Sequence, residues 1–278
     1  MSRTVLITGT SSGIGRACAE EMAERGWRVL AGVRREEDGE EVRALSPDRI
    51  EPLLLDVTDL DAIAALPERV GGSLDGLVNN AGMANAGPLE HLPVEDIRHQ
   101  LDVMLLAPFA LTKAMLPALR ASRGRVVMIG SIGGRTSLPF MGPYNAAKAG
   151  IDGFANSLRQ ELAPFGVHVA LVEPGAIKTR IWQKGIDAGE KLRESLPDEA
   201  ERDYGDRIEK MANAAAESER RGVPPSKVGG VVAHALTADN PKTRYLVGID
   251  ARVQAGLRAA LPDRALDRVL GRLSGLGS

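Results

Sequence analysis

The chain has 278 residues, enough to bury one large core, and length alone permits either one α/β domain or two smaller ones. With 35 basic and 37 acidic residues, a net charge of −2 and a pI near 6.2, it carries no bulk signal for nucleic acid or an acidic membrane surface, which leaves small molecules as the default partners. The one cysteine, Cys18, cannot form an internal disulfide, which fits a reducing cytosol.

Short β-branched and leucine-rich runs at 4–8, 28–33, 50–55, 75–79, 124–130, 167–173 and 244–248 alternate with segments of helical periodicity. This rhythm predicts parallel strands joined by crossover helices, a doubly wound α/β sheet of seven strands in a single domain over residues 1–278. The first strand starts at Thr4, leaving no room for a signal peptide, and no apolar run reads as long enough to span a bilayer. That strand runs into Thr8-Gly9-Thr10-Ser11-Ser12-Gly13-Ile14-Gly15 and then into a helix around Arg16–Arg25. A glycine loop in this context lets the backbone approach a pyrophosphate, whose charge the helix N-terminal amides hold. Cys18, inside the helical pattern, reads as a buried structural thiol.

The second strand ends at Val33 and is followed by Arg34 and Arg35. An acidic residue there would bind a ribose 2′-hydroxyl, whereas arginines suit a 2′-phosphate, so NADP(H) is expected, with NAD(H) as the alternative. Glu36, Glu37 and Asp38 follow at once, and the arginine pair also reads as a solvated turn balanced by those acids. Near-continuous apolar strands, Val126–Ile129 and Val167–Val172, imply helices on both faces. His168 within the second of these reads as a hydrogen-bonded structural histidine.

Ser131 precedes Tyr144-Asn145-Ala146-Ala147-Lys148 by thirteen residues. A tyrosine and a lysine one helical turn apart share a helix face, which places an ammonium where it favours the phenolate. A phenol is otherwise a poor acid–base at neutral pH, with a pKa of about 10. Alone, the five-residue pattern is an ordinary amphipathic helix start near Pro143; the serine and the glycine loop, in this order, single it out. Residues 180–225, charged and helix-prone, break the strand–helix rhythm and end at Gly222-Val223-Pro224-Pro225. At a strand's carboxyl end such an insertion reads as a substrate lid, with a solvated helical excursion as the plainer reading. Arginines at 252, 258, 264, 268 and 272 interleave with leucines in a C-terminal helical tail, 251–278, expected to pack on its own protein.

With the glycines spaced Gly-x-x-x-Gly-x-Gly, the chain resembles the classical short-chain dehydrogenase/reductase family over nearly its whole length. The resemblance implies a Rossmann fold with Tyr144 as acid–base, Lys148 as the residue that lowers its pKa and holds the nicotinamide ribose, and Ser131 as the donor that orients the substrate oxygen. It implies cofactor contacts from Gly9, Ser11, Ser12, Gly13, Ile14 and Gly15, from Asp56 and Val57 on the adenine side, and from Asn80, Ala81 and Gly82. Pro174, Gly175, Ile177 and Thr179 resemble the segment that meets the nicotinamide carboxamide. There is one departure: the family commonly has an asparagine where this chain has Met104. A thioether cannot replace an amide in holding a water chain from Lys148. Gln100, one turn earlier on the same face, has the reach to enter the site, with a helix-surface glutamine as the stronger reading.

Leu138, Phe140 and Met141, with Ile181 and Trp182 at the lid's entry, imply an apolar substrate site. The stretch from Gly124 through Thr179, and Arg244–Ala251, also resemble the hydroxysteroid and retinol dehydrogenase branch. The leading expectation is therefore a cytoplasmic NADP(H)-dependent oxidoreductase, a homodimer or homotetramer, acting on a lipophilic alcohol or ketone, with no nucleic-acid partner, no integral membrane segment and no metal. A dinucleotide-binding regulatory or scaffold protein, motivated by Met104, and a sugar-nucleotide epimerase or dehydratase of the extended family are the competing classes.

Overall fold

The computed structural model describes residues 2–179, 181, 185, 189–190, 192–194 and 196–273. Seven strands, β1 (Thr4–Thr8), β2 (Arg28–Val33), β3 (Ile50–Leu54), β4 (Gly76–Asn79), β5 (Arg125–Ile129), β6 (His168–Pro174) and β7 (Arg244–Val247), form one sheet in the order β3-β2-β1-β4-β5-β6-β7. Every pairing is parallel. The order reverses between β1 and β4, and in open α/β sheets that switch point opens the ligand crevice at the strands' carboxyl ends.

Alternation along the strands sorts the core into two layers. Val5, Ile7, Val29, Ala31 and Val127 face Cys18 and Met22 of α1 (Gly13–Glu24). Opposite them, Leu6, Leu30, Leu77, Val126 and Met128 face α3 (Leu60–Val70), α5 (Ala107–Ser122) and α6 (Gly142–Leu162). The remaining helices are α2 (Glu36–Arg43), α4 (Val94–Leu101), α7 (Asp198–Arg221), α8 (Pro225–Thr237), α9 (Ile249–Ala260) and α10 (Asp263–Leu273). Cys18 is fully buried and its thiol is pushed up to about 12 by burial and by Glu21, an inert structural sulfur as expected. The tail also packs inward, with Leu266 and Leu270 each 4% exposed.

Two expectations need correction. His168, expected as a hydrogen-bonded structural histidine, is exposed at the start of β6 between the buried Val167 and Val169, because alternation along the strand turns it outward. Among the described residues one helix is also long and apolar enough to cross a membrane, the 29-residue stretch Val94–Ser122, with a window of mean hydropathy 1.4. The sequence reading missed it because α4 and α5 join through a π-helical turn, Asp102–Leu106. Pro108 has no N–H for the Met104 carbonyl and its ring would press on that carbonyl, which explains why the regular ladder widens there. The apolar residues of the helix divide between two sides. Leu111, Met115 and Leu119 fill the layer under the sheet, while Phe109 stacks on Phe154 of α6 at 3.6 Å.

Candidate active site

The carboxyl ends of β1, β4, β5 and β6 bring the expected site residues to one edge. At β1, Gly9 and Gly13 have positive φ, and a Cβ on Gly15 would lie 2.2 Å from the Gly9 carbonyl oxygen, so glycine is required at the turn into α1. Asn80, after β4, donates its Nδ2 to the carbonyls of Thr8 at 2.8 Å and Gly9 at 3.2 Å. The Thr8 hydroxyl accepts from the backbone amides of Asn80 and Ala81, each at 3.0 Å. The Asn80-Ala81-Gly82 segment thus braces the glycine loop. Ser11, Ser12 and Ile14 are partly exposed along the loop.

A Cβ on Gly13 would lie 3.1 Å from the Thr179 methyl, so the glycine loop and the segment after β6 face each other. That segment is fixed from outside. Asp250 of α9 accepts from the Ala176 amide at 2.6 Å and fills the space above Gly175. Ile177 pairs with Val223 as a parallel bridge, which closes the foot of the 180–225 insertion. Pro174 and Ile177 are buried beneath it.

On the adenine side, Asp56 accepts from the Thr58 amide at 2.9 Å and hydroxyl at 2.8 Å, which, with the charge of Arg34 nearby, holds its carboxyl below the ordinary value against the opposing effect of burial. Val57 beside it is buried. The two arginines after β2 separate in role. Arg35 forks onto Asp38 at 2.8 and 2.9 Å, as the solvated-turn reading required. Arg34 is exposed and makes no ion pair among the described residues.

Ser131 caps a 3₁₀ turn, Ile132–Gly134, after β5. Its Oγ accepts from the Gly133 amide at 3.1 Å, and its hydroxyl lies near enough to the Tyr144 hydroxyl to pull the phenol down. Tyr144 opens the first turn of α6, with Lys148 one turn on and its Nζ 5.9 Å from the tyrosine ring centre. Burial raises the Tyr144 hydroxyl above its ordinary value, the Ser131 hydroxyl pulling the other way. Lys148 is 7% exposed, donates to the Ile129 carbonyl at 2.8 Å, and is pushed down to about 8 by burial. Burial thus outweighs the lowering influence of the Ser131 hydroxyl on the phenol. Two hydroxyls and one cation at the edge beside the glycine loop can stabilise negative charge developing on a carbonyl oxygen and move one proton to it.

The substrate-side residues divide. Leu138 and Phe140 are half-buried, and Phe140 adopts positive φ, 64°. Its ring meets Tyr204 of α7 edge to face at 6.1 Å, with Arg207 over it at 5.6 Å. Tyr204 also meets His91 at 6.0 Å. Met141 is buried under the start of α6, and Ile181 is half-buried. Trp182 lies outside the described residues.

Gln100 is corrected outright. It is fully buried, not on the helix surface, and its Oε1 accepts from the Asn85 amide at 2.5 Å, while its Nε2 has no partner. Met104, 1% exposed, lies one turn on and belongs to neither apolar cluster. Sequence reasoning also missed Asp250 and an ion cluster, Arg135, Asp152, Glu173 and Arg244. A lone charged residue, Glu173, inside an otherwise apolar strand was the available signal.

The model of the short chain dehydrogenase family matches residues 3–188. Over 277 residues the chain is 35% identical to an NADPH-dependent 3-dehydrocapnine reductase of Ornithobacterium rhinotracheale, covering 96% of this chain and 95% of that protein. It is 41% identical to retinol dehydrogenase 7 of Rattus norvegicus, covering 89% of this chain and 81% of that one. Among solved structures, a short chain dehydrogenase from Burkholderia cenocepacia in complex with NADP superposes with a TM-score of 0.74 at 27% identity, covering 97% of each chain. Together with the seven-stranded sheet and the serine, tyrosine and lysine at its edge, these matches show that the chain belongs to the short-chain dehydrogenase/reductase family of oxidoreductases.

Proposed function

We propose that the protein interconverts a secondary alcohol and a ketone on a lipophilic molecule, using NADP(H). The observation that carries this reading is the gathering of Ser131, Tyr144 and the buried Lys148, its Nζ 5.9 Å from the tyrosine ring centre, at the strand ends that also carry the glycine loop. The nicotinamide supplies or accepts the hydride. Ser131 orients the substrate oxygen, Tyr144 gives or takes its proton, and Lys148 holds the ribose side. Leu138, Phe140 and Ile181 form an apolar wall, and we read 180–225 as a lid hinged at Ile177–Val223. Names of relatives that act on retinol and 3-dehydrocapnine support a lipid-like substrate. A panel of ketones graded by chain length, with NADPH consumption as the readout, tests it: turnover should favour long apolar ketones, and activity on none of them would overturn it.

The 2′-phosphate reading rests on Arg34. Arg34→Ala should weaken NADP(H) binding by roughly 1.5–3 kcal/mol, about one to two decades in affinity, and leave NAD(H) nearly unchanged. Equal loss for both nucleotides in a titration would make Arg34 structural.

Met104 bears on the proton path. It is buried one helical turn from Gln100, whose Nε2 has no hydrogen-bond partner among the described residues. Met104→Asn is expected to raise kcat and to shrink the solvent deuterium isotope effect on it, because proton delivery through Tyr144 limits the wild type. A slower enzyme with a melting temperature lowered by the equivalent of about 1–3 kcal/mol would show instead that the thioether is a packing element.

A further inference from the structure

Three parts of the site, the Ser131 turn, helix α6 and the segment after β6, converge on one cluster of four charges, buried at Glu173 and half-buried at Arg135, Asp152 and Arg244. Glu173, the residue before Pro174, has a side chain only 2% exposed. Arg135, four residues after Ser131, forks onto it, Nε to Oε1 at 2.7 Å and Nη2 to Oε2 at 3.0 Å. Arg244, at the start of β7, reaches the same carboxylate at 2.7 Å. It also forks onto Asp152 at 2.5 and 3.0 Å, and Asp152 lies one turn beyond Lys148 on α6. Asn156 completes the Asp152 shell at 2.6 Å. The cluster sums to zero charge, and the arginines hold Asp152 below its ordinary value although burial opposes this.

Packing alone does not call for such a cluster. A buried ion network gives up much of its attraction to desolvation, and apolar residues of similar volume are often as stable or more so. What paired forks provide is direction, since a planar guanidinium meets a carboxylate in one orientation. Here the orientation is transmitted over short distances. Gly134, between Ser131 and Arg135, sits so close to α6 that a Cβ would come within 2.8 Å of the Lys148 carbonyl oxygen. Thr136 next to Arg135 is tied to Gln254 of α9 at 2.8 Å, and α9 in turn holds the Ala176 amide through Asp250.

Resting on the oxidoreductase reading above, we propose that Arg135 and Glu173 are positioning residues for the reaction: their fork sets the placement of the Ser131 hydroxyl against Tyr144, with Arg244 and Asp152 locking α6 into the same frame. None of the four touches the reacting atoms. Misplacing a reacting group by about 1 Å costs on the order of 100-fold in rate, so the fork matters for chemistry as well as folding.

Glu173→Gln, which keeps shape and removes the charge, should lower kcat by about 10- to 100-fold with nucleotide affinity unchanged. Arg135→Lys, which keeps charge and removes the fork, should do the same to a smaller extent, and it carries the test if the first variant does not fold. The deciding readout is the titration of Tyr144, followed by NMR of ring-labelled tyrosine. The titratable and polar groups nearest Tyr144 are Ser131, beside its hydroxyl, and Lys148, with Nζ 5.9 Å from the ring centre, and losing the Ser131 alignment removes the influence that lowers the phenol. Its midpoint should therefore rise in both variants, and the alkaline limb of ketone reduction should move to higher pH with it. Lower melting temperatures with kcat and Tyr144 titration unchanged would overturn the proposal and leave the cluster a purely structural element. A wild type inactive on every ketone would sink the functional reading, while the NMR titration would still decide the positioning claim.

Discussion

Tyr144→Phe should lower turnover by about 10²- to 10⁴-fold, the usual contribution of a positioned proton donor, and leave NADP(H) affinity close to that of the wild type. The two consequences separate because the substitution removes one atom. The ring remains at the start of α6, its contact with the Lys148 ammonium at 5.9 Å is kept, and the glycine loop and Asn80 brace do not involve it. What is lost is the proton that the substrate oxygen must receive, together with the hydroxyl beside Ser131. The Ser131 hydroxyl still accepts from Gly133, so the 3₁₀ turn should hold and the melting temperature should change little. Steady-state kinetics and a nucleotide titration on the same preparation check the prediction. Activity within a fewfold of the wild type would end the proposed mechanism, and a parallel collapse of nucleotide affinity would mean that the hydroxyl organises the pocket.

The fold was legible because parallel strands buried on both faces leave a strong mark: each expected run matches an observed strand to within a residue or two, from Thr4–Thr8 to Arg244–Val247. Motifs carried by backbone geometry were legible too, since the glycines at 9, 13 and 15 are needed for positive φ and close approach, which sequence encodes directly. What escaped was anything decided by burial of single polar groups. Gln100 looks like a surface residue by type, yet it is enclosed because the loop at Asn85 folds over it. Arg135, Asp152, Glu173 and Arg244 are up to 109 positions apart in the chain, and nothing local in the sequence announces that β6, β7, α6 and the Ser131 turn bring them together. The Tyr144–Lys148 spacing was legible as a shared helix face, whereas the burial of the two groups, which raises the phenol and lowers the ammonium, was not.

That burial makes Lys148 the second decisive position. Its ammonium is 7% exposed with one protein partner, the Ile129 carbonyl, and is held down to about 8 from an ordinary value of 10.5. A depression of this size corresponds to roughly 3 kcal/mol of unfavourable charge burial in the folded state at neutral pH. The sign follows from proton counting. Between pH 8 and 10.5 the unfolded chain binds the proton and the folded chain does not, so the wild type should gain stability as pH rises through that window. Lys148→Met keeps the length of the side chain and removes the charge. Leaving the Ile129 carbonyl without its donor costs about 1–3 kcal/mol, so the variant should be neutral to about 2 kcal/mol more stable at pH 7. It should also lack the rise above pH 8. Its activity should fall by at least two decades and its nucleotide affinity should weaken, since the ammonium is assigned both the ribose and the proton site. Thermal unfolding across pH 7–10, with kinetics and a nucleotide titration at pH 7, tests all three. Loss of activity together with a large loss of stability would show that the buried ammonium is a structural element of the sheet edge. A catalytic group kept at the expense of stability predicts the opposite pairing, an inactive protein at least as stable as the wild type.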